Sequence, residues 1–144
     1  MDSDLKREII LDNYNSPTNK VDKDVEGYVK TNIRSETCID NIDLYVDIKD
    51  DIIKDIKFNG EACAVSTAST SIMIKNLIGK TINDALIYLE NFDNMLEEKE
   101  YDQDIVGEAC VFDETYKQLN RRNCVTIPYR GIKEAIKNYL TNKN

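Results

Sequence analysis

The stretch Asn41–Leu77, NIDLYVDIKDDIIKDIKFNGEACAVSTASTSIMIKNL, changes from one kind of order to another part of the way along. Ile42, Leu44, Val46 and Ile48 recur at every second position with polar residues between them, which predicts a half-buried strand. Asp50-Asp51 then supplies a turn, and Ile52 to Phe58 resumes strand-like spacing, so the two segments read as an antiparallel hairpin. After Gly60 small residues take over. The run ACAVSTASTSIMIKNL predicts a closely packed helix from Ala64 to Leu77, ended by Gly79. Cys63 therefore falls at a strand-to-helix junction.

Working outward, Gly27 to Ile33 is the third strand of the same sheet. Upstream of it, Asp4 to Asn13 places Leu5, Ile9 and Ile10 on one helical face, with a stop at Asn15-Ser16-Pro17, since proline disfavours helix in the residue before it. Downstream, Thr81 to Phe92 is a helix capped by Thr81, with Ile82, Ala85, Leu86 and Leu89 on one face. Glu97 to Asp113 is acidic and weakly periodic, and reads as loop or short helix. The last helix is expected from Val125 to Leu140, with Pro128 in its first turn and Cys124 at its N-terminus. No repeat or linker interrupts the chain. The expected fold is α+β: a single domain over residues 1–144, with a small three-stranded antiparallel sheet and helices packed mainly on one face.

A chain of 144 residues can bury one core without disulfide staples. No apolar run approaches the length of a membrane span, and Met1 to Arg7 does not resemble a secretion signal, so a cytoplasmic protein is expected. The net charge of -8 argues against nucleic acid and against anionic membrane surfaces as partners. Histidine is absent, which removes the usual general base and the commonest metal ligand together. Four cysteines in such a chain read as thiols rather than disulfides, and point to metal binding or sulfur chemistry.

Three of those cysteines sit at ends or junctions of predicted elements: Cys38 before a strand, Cys63 and Cys124 before helices. A helix N-terminus carries partial positive charge and favours thiolate, the form that binds metal or attacks sulfur. Asp40 lies two residues from Cys38, so in an extended segment both side chains project to one side. Cys38, Asp40, Cys63 and Cys124 together would make a tetrahedral site of three sulfurs and one oxygen. Zinc accepts that donor set, and so does an iron–sulfur cluster. The separations, 25 residues and then 61, match no paired Cys-x-x-Cys pattern, so spacing alone does not choose. Cys110, among acidic neighbours in GEACVF, is read as a thiol outside the site. The strip Ser66, Thr67, Ser69, Thr70 and Ser71 has no histidine to activate it, and is read as small residues packing a helix on a sheet.

Four segments in order resemble the U-type iron–sulfur assembly family, which comprises IscU-like scaffolds and SufU-like sulfur acceptors. ILDNYNSPTNK, Ile10–Lys20, is similar to the family's opening segment, and TCIDNIDLYVDI to its Cys-Gly-Asp followed by a strand. GEACAVSTASTSIM matches Gly-x-x-Cys-x-x-Ser-x-Ala-Ser, and RRNCVTIPYRGIKEAI matches Arg-x-x-Cys opening the last helix. The resemblance implies a SufE/IscU-like fold. It also implies Cys38, Asp40, Cys63 and Cys124 as metal ligands, and Cys38 as acceptor of persulfide sulfur from a cysteine desulfurase of the SufS-like kind. Arg121 aligns with an arginine of the SufU branch and supports the site or a partner. That branch is favoured by the acidic insertion at 97–114, by Asn123 where the scaffold branch has histidine, and by the lack of a Leu-Pro-Pro-Val-Lys segment. Its implied activity is a zinc-dependent sulfurtransferase that hands sulfur to downstream assembly or apo-acceptor proteins. The alternative is a scaffold on which iron and sulfide build a [2Fe-2S] cluster for transfer to apo-proteins. The chain departs from the pattern at Ile39, where the family has glycine, and at Asn13, Ser16 and Thr18 in the opening segment.

Overall fold

In a computed structural model, which describes residues 1–35, 39–115 and 119–143, the quoted stretch forms the centre of the molecule. Strands β1 (Val29–Arg34), β2 (Asn41–Lys49) and β3 (Ile52–Glu61) lie in the order β1-β2-β3, both pairs antiparallel. Asp50 and Asp51 both take positive φ, 54° and 60°, as a two-residue turn with the twist of its flanking strands requires. A register shift at Asp47/Ile48 breaks the alternation, so Ile42, Leu44 and Val46 are fully buried and Ile48 only partly.

Among the described residues five α-helices accompany the sheet: α1 (Ser3–Asn15), α2 (Ala64–Leu77), α3 (Ile82–Leu96), the short α4 (Gln103–Val106) and α5 (Leu119–Asn142). Asp2 caps α1, its side chain accepting the Leu5 N–H, and Thr81 caps α3 by accepting from Asp84. Between α4 and α5 a 3-10 helix, Gly107–Phe112, buries Ala109, Val111 and Phe112. The acidic segment is therefore largely helical and contributes to the core, which its weak periodicity had hidden. Asn13 ties the first helix to this segment and to α2: its amide donates to Glu108 Oε1 at 2.9 Å, and its Oδ1 accepts from Ser71 at 2.8 Å.

One continuous core joins Ile42, Leu44, Ile56 and Phe58 of the sheet to Ile72 and Met73 of α2, Phe92 of α3 and Ile132 of α5. The helices α2 and α5 pack against the sheet. Helix α5 approaches it at Gly131, whose carbonyl accepts from the Thr31 hydroxyl at 3.2 Å, and a Cβ there would stand 2.7 Å from Leu44 Cδ1 and 3.1 Å from Ile33 Cγ1. Gly131→Ala is expected to destabilise the fold by about 1–3 kcal/mol through overpacking, read as a lower denaturation midpoint. An unchanged midpoint would show that Leu44 simply turns aside.

The long C-terminal helix departs from its expected bounds. It runs from Leu119, so Cys124 lies inside it and Pro128 stands in its interior rather than its first turn. Leu119 to Asn123 carries leucine and two arginines, good helix formers, which extend the helix upstream of Val125, its expected start.

Candidate metal centre

The end of β3, the start of α2, the residues before β2 and the second turn of α5 meet at one corner of the domain. There a carboxylate oxygen of Asp40 and the Sγ atoms of Cys63 and Cys124 all lie within 4.8 Å of one another. These three groups are 23 and 61 residues apart along the chain, and only the fold brings them together. A single ion can touch all three, and two thiolates with a carboxylate suit zinc or iron. Cys38, the fourth expected ligand, lies outside the described residues. Nearby, the Ser35 N–H donates to the Asp40 carbonyl at 2.9 Å.

Each member is held by its own local structure. Cys63 is the N-cap of α2, with extended backbone, and its Sγ accepts the Ser66 N–H at 3.4 Å. Asp40 is 1% exposed. Its Oδ1 accepts the Cys63 N–H at 2.6 Å, and its Oδ2 accepts the Ser66 hydroxyl, also at 2.6 Å. Gly60, at φ +120°, lets β3 pass so close to Asn41 that a Cβ would stand 2.1 Å from its carbonyl oxygen. That close pass fixes the entry to β2 immediately after Asp40.

Cys124 does not enjoy the helix-terminus charge expected for it. Burial pushes its thiol up to about 12, with Cys63 and Asp40 beside it adding to the effect. A bound divalent cation reverses that logic, because it stabilises the thiolates against each other and displaces their protons.

The cysteines open onto a hollow of about 380 Å³ lined by Cys63, Ala64, Val65, Arg121 and Cys124. Arg121 is exposed at its edge. Ile39, on the other side of Asp40, is 75% exposed and lines a second hollow with Arg34, Asp43 and Glu61. Cys110 sits elsewhere, half-buried within the 3-10 helix, with its Sγ directed to the Gln103 carbonyl at 3.8 Å, and burial together with Asp113 raises its thiol. Sequence reading missed Ser66. It was taken with its neighbours as packing, yet its hydroxyl touches Asp40, Cys63 and the Cys124 carbonyl at 2.6, 3.4 and 3.0 Å. Its position three residues after a helix-capping cysteine was the available signal.

Residues 5–144 match the family model described as the NifU-like N-terminal domain. The zinc-dependent sulfurtransferase SufU of Bacillus subtilis is 32% identical over 133 residues, covering 92% of this chain and 89% of that protein. The iron–sulfur cluster assembly scaffold protein IscU of Streptococcus pyogenes is 35% identical over 126 residues, covering 83% and 79%. Among solved structures, a candidate SUF-system assembly scaffold protein, FiSufU of Fervidobacterium islandicum, superposes with a TM-score of 0.83 at 31% identity, over 90% of this chain and 94% of that one.

Proposed function

The chain belongs to the NifU-like N-terminal domain family, and from that premise we propose that it serves iron–sulfur cluster assembly as a zinc-dependent sulfur carrier, taking persulfide sulfur from a cysteine desulfurase at Cys38. The observation that carries this reading is the convergence of Asp40, Cys63 and Cys124, with Cys38 only two residues before Asp40 in the chain. Cys63 and Cys124, anchored on separate helices, are the fixed ligands. Asp40 completes them with one oxygen, and Cys38 supplies the third sulfur. Zinc, when bound, keeps such sulfurs as thiolates at neutral pH and holds them in one orientation.

For transfer, the Cys38 thiolate would have to be free of the metal, which Asp40, Cys63 and Cys124 would then hold. The free thiolate attacks the terminal sulfur of the donor persulfide. A bond forms between Cys38 Sγ and that sulfur, the donor's own S–S bond breaks, and the donor cysteine departs as thiolate. The proton stays on the transferred sulfur, so no oxidant or reductant is consumed. Downstream assembly or apo-acceptor proteins then attack the new persulfide in the same way. Arg121 lines the cysteine-lined hollow, and in this reading it meets an anionic group of the incoming partner.

The proposed domain is the whole chain, 1–144, with the acidic segment 97–114 as an insertion relative to the scaffold branch. Among the described residues no helix is long and apolar enough to cross a membrane, and a cytoplasmic site of action fits that.

Desulfurase turnover in the presence of the protein tests the acceptor role. Cys38→Ala is expected to abolish the stimulation given by the unaltered chain while leaving the desulfurase's basal rate intact; stimulation by the variant would remove Cys38 as acceptor. The similarity to IscU supports a second reading, a scaffold carrying a [2Fe-2S] cluster as cargo on the same residues. Anaerobic incubation with iron and sulfide separates the two. Visible absorption of a cluster that passes to an apo-acceptor favours the scaffold; zinc that stays bound and blocks it favours the carrier.

A further inference from the structure

Pro128 has no N–H, so the carbonyl four residues before it in α5, that of Cys124, has no helical donor. A buried carbonyl left so is costly, and the donor that reaches it comes from another helix: Ser66 Oγ of α2, at 3.0 Å. The neighbouring carbonyl, that of Val125, is met in the same way by Ser69 Oγ at 2.7 Å. Ser66 is fully buried, and its hydroxyl carries a single proton. That proton has two oxygen acceptors, Asp40 Oδ2 at 2.6 Å and the Cys124 carbonyl at 3.0 Å. The shorter contact lies in the range of charge-assisted bonds.

We propose that Ser66 and Pro128 form one positioning device for the metal ligands: the proline frees the Cys124 carbonyl, and the Ser66 hydroxyl links it to the Asp40 carboxylate. This rests on the reading that Asp40, Cys63 and Cys124 hold a metal. With the site empty, the hydroxyl donates to Asp40. When the charge of Asp40 is drawn to a cation, the hydroxyl turns to the Cys124 carbonyl and fixes the second turn of α5, and with it the Cys124 sulfur. Ser66 thus makes the placing of one ligand answer to the state of another, without itself touching the metal.

The test is a double-substitution cycle with Ser66→Ala, Pro128→Ala and both, on the full chain. Zinc affinity is measured by competition with a chromophoric chelator, and the thiolate-to-metal absorption is recorded with cobalt(II) in place of zinc. Ser66→Ala is expected to weaken zinc binding about tenfold and to shift the cobalt(II) band. Pro128→Ala returns an N–H to the Cys124 carbonyl, so in that background the loss from Ser66→Ala is expected to shrink at least threefold. Equal losses in both backgrounds, or an affinity and band unchanged by Ser66→Ala, would overturn the proposal. Failure of the metal reading looks different: the unaltered chain takes up no zinc, or Cys124→Ser leaves the affinity unchanged. In that case thermal unfolding of the four metal-free proteins decides whether Ser66 and Pro128 are linked. A non-additive shift in Tm supports the link, and additive shifts overturn it.

Discussion

Zinc affinity is expected to fall about a hundredfold or more in Cys63→Ala, and by a similar factor in Cys63→Ser, while the two variants differ in the stability of the metal-free protein. A structural zinc site contributes roughly 10–16 kcal/mol in all, so one ligand in four accounts for about 3 kcal/mol, or on the order of a hundredfold. Cys63 has a second task, however, as the cap of α2, with its Sγ accepting the Ser66 N–H. Serine is among the best N-caps and alanine among the poor ones. Metal-free Cys63→Ser should therefore match the unaltered chain in denaturant unfolding, and Cys63→Ala should lose about 1 kcal/mol. Retention of tightly bound zinc by Cys63→Ser would remove Cys63 from the ligand set. Equal unfolding midpoints for the two variants would show that its capping role is negligible.

Gly60→Ala is expected to cost about 3–5 kcal/mol, the largest loss for a single methyl group in this chain. Two effects add. The backbone stands at φ +120°, which side chains other than hydrogen rarely tolerate, and the new Cβ would meet the Asn41 carbonyl oxygen at 2.1 Å. The obstacle is backbone, so no rotamer relieves it, in contrast with Gly131, where side-chain ends stand in the way. To relax, β3 must part from Asn41 and Ile42, and that movement pulls on Asp40 next door. Zinc binding should weaken together with the fold, by at least tenfold by the same reasoning that applies to residues supporting a metal ligand. Near-normal denaturant midpoints for Gly60→Ala would mean that the strand crossing is looser than its geometry indicates.

The parts of the fold legible in the sequence were those governed by simple periods. Alternation through Ile42, Leu44 and Val46 marked β2, because one face of that strand presses on the core, and the small-residue run marked α2 at Ala64–Leu77, a helix enclosed on every side from Ser66 to Ile74. The bulge at Asp47/Ile48 was not legible, because Ile48 continues the alternation in the sequence and only the pairing breaks it. Tyr45, on the polar side of β2, is nonetheless 1% exposed, with its hydroxyl donating to Asp24 at 2.6 Å; burial on that side depends on a distant segment. The acidic stretch hid its core residues because a four-residue helix and a 3-10 helix are too short to display a helical period. In α5, proline was a misleading marker. Its preference for a first turn gave the wrong start, and the cost of its interior position is offset by Ser66, which no local pattern links to it.

The candidate site divides in the same way. Cys63 was placed at its junction by the abrupt change of composition, and the resemblance of four segments pointed to Cys124 and Asp40 as its companions. What the sequence withheld was the joinery: the Cys63 N–H on Asp40, and a serine hydroxyl between two ligands. Bonds of this sort join residues far apart in the chain and leave no period behind.

The strand order has a consequence for behaviour in crowded solution. Strand β3 is shielded along its outer side by backbone bridges, Lys20 to Phe58 and Ile52 to Thr81, whereas among the described residues nothing pairs with the outer side of β1. An unpaired strand edge is a template on which other chains can grow. Here it displays Lys30 and Arg34, and like charges brought together along such an edge repel. Charged side chains on an exposed edge disfavour edge-to-edge pairing, and Lys30, itself paired with Asp24 at 3.4 Å, and Arg34 place that charge on β1.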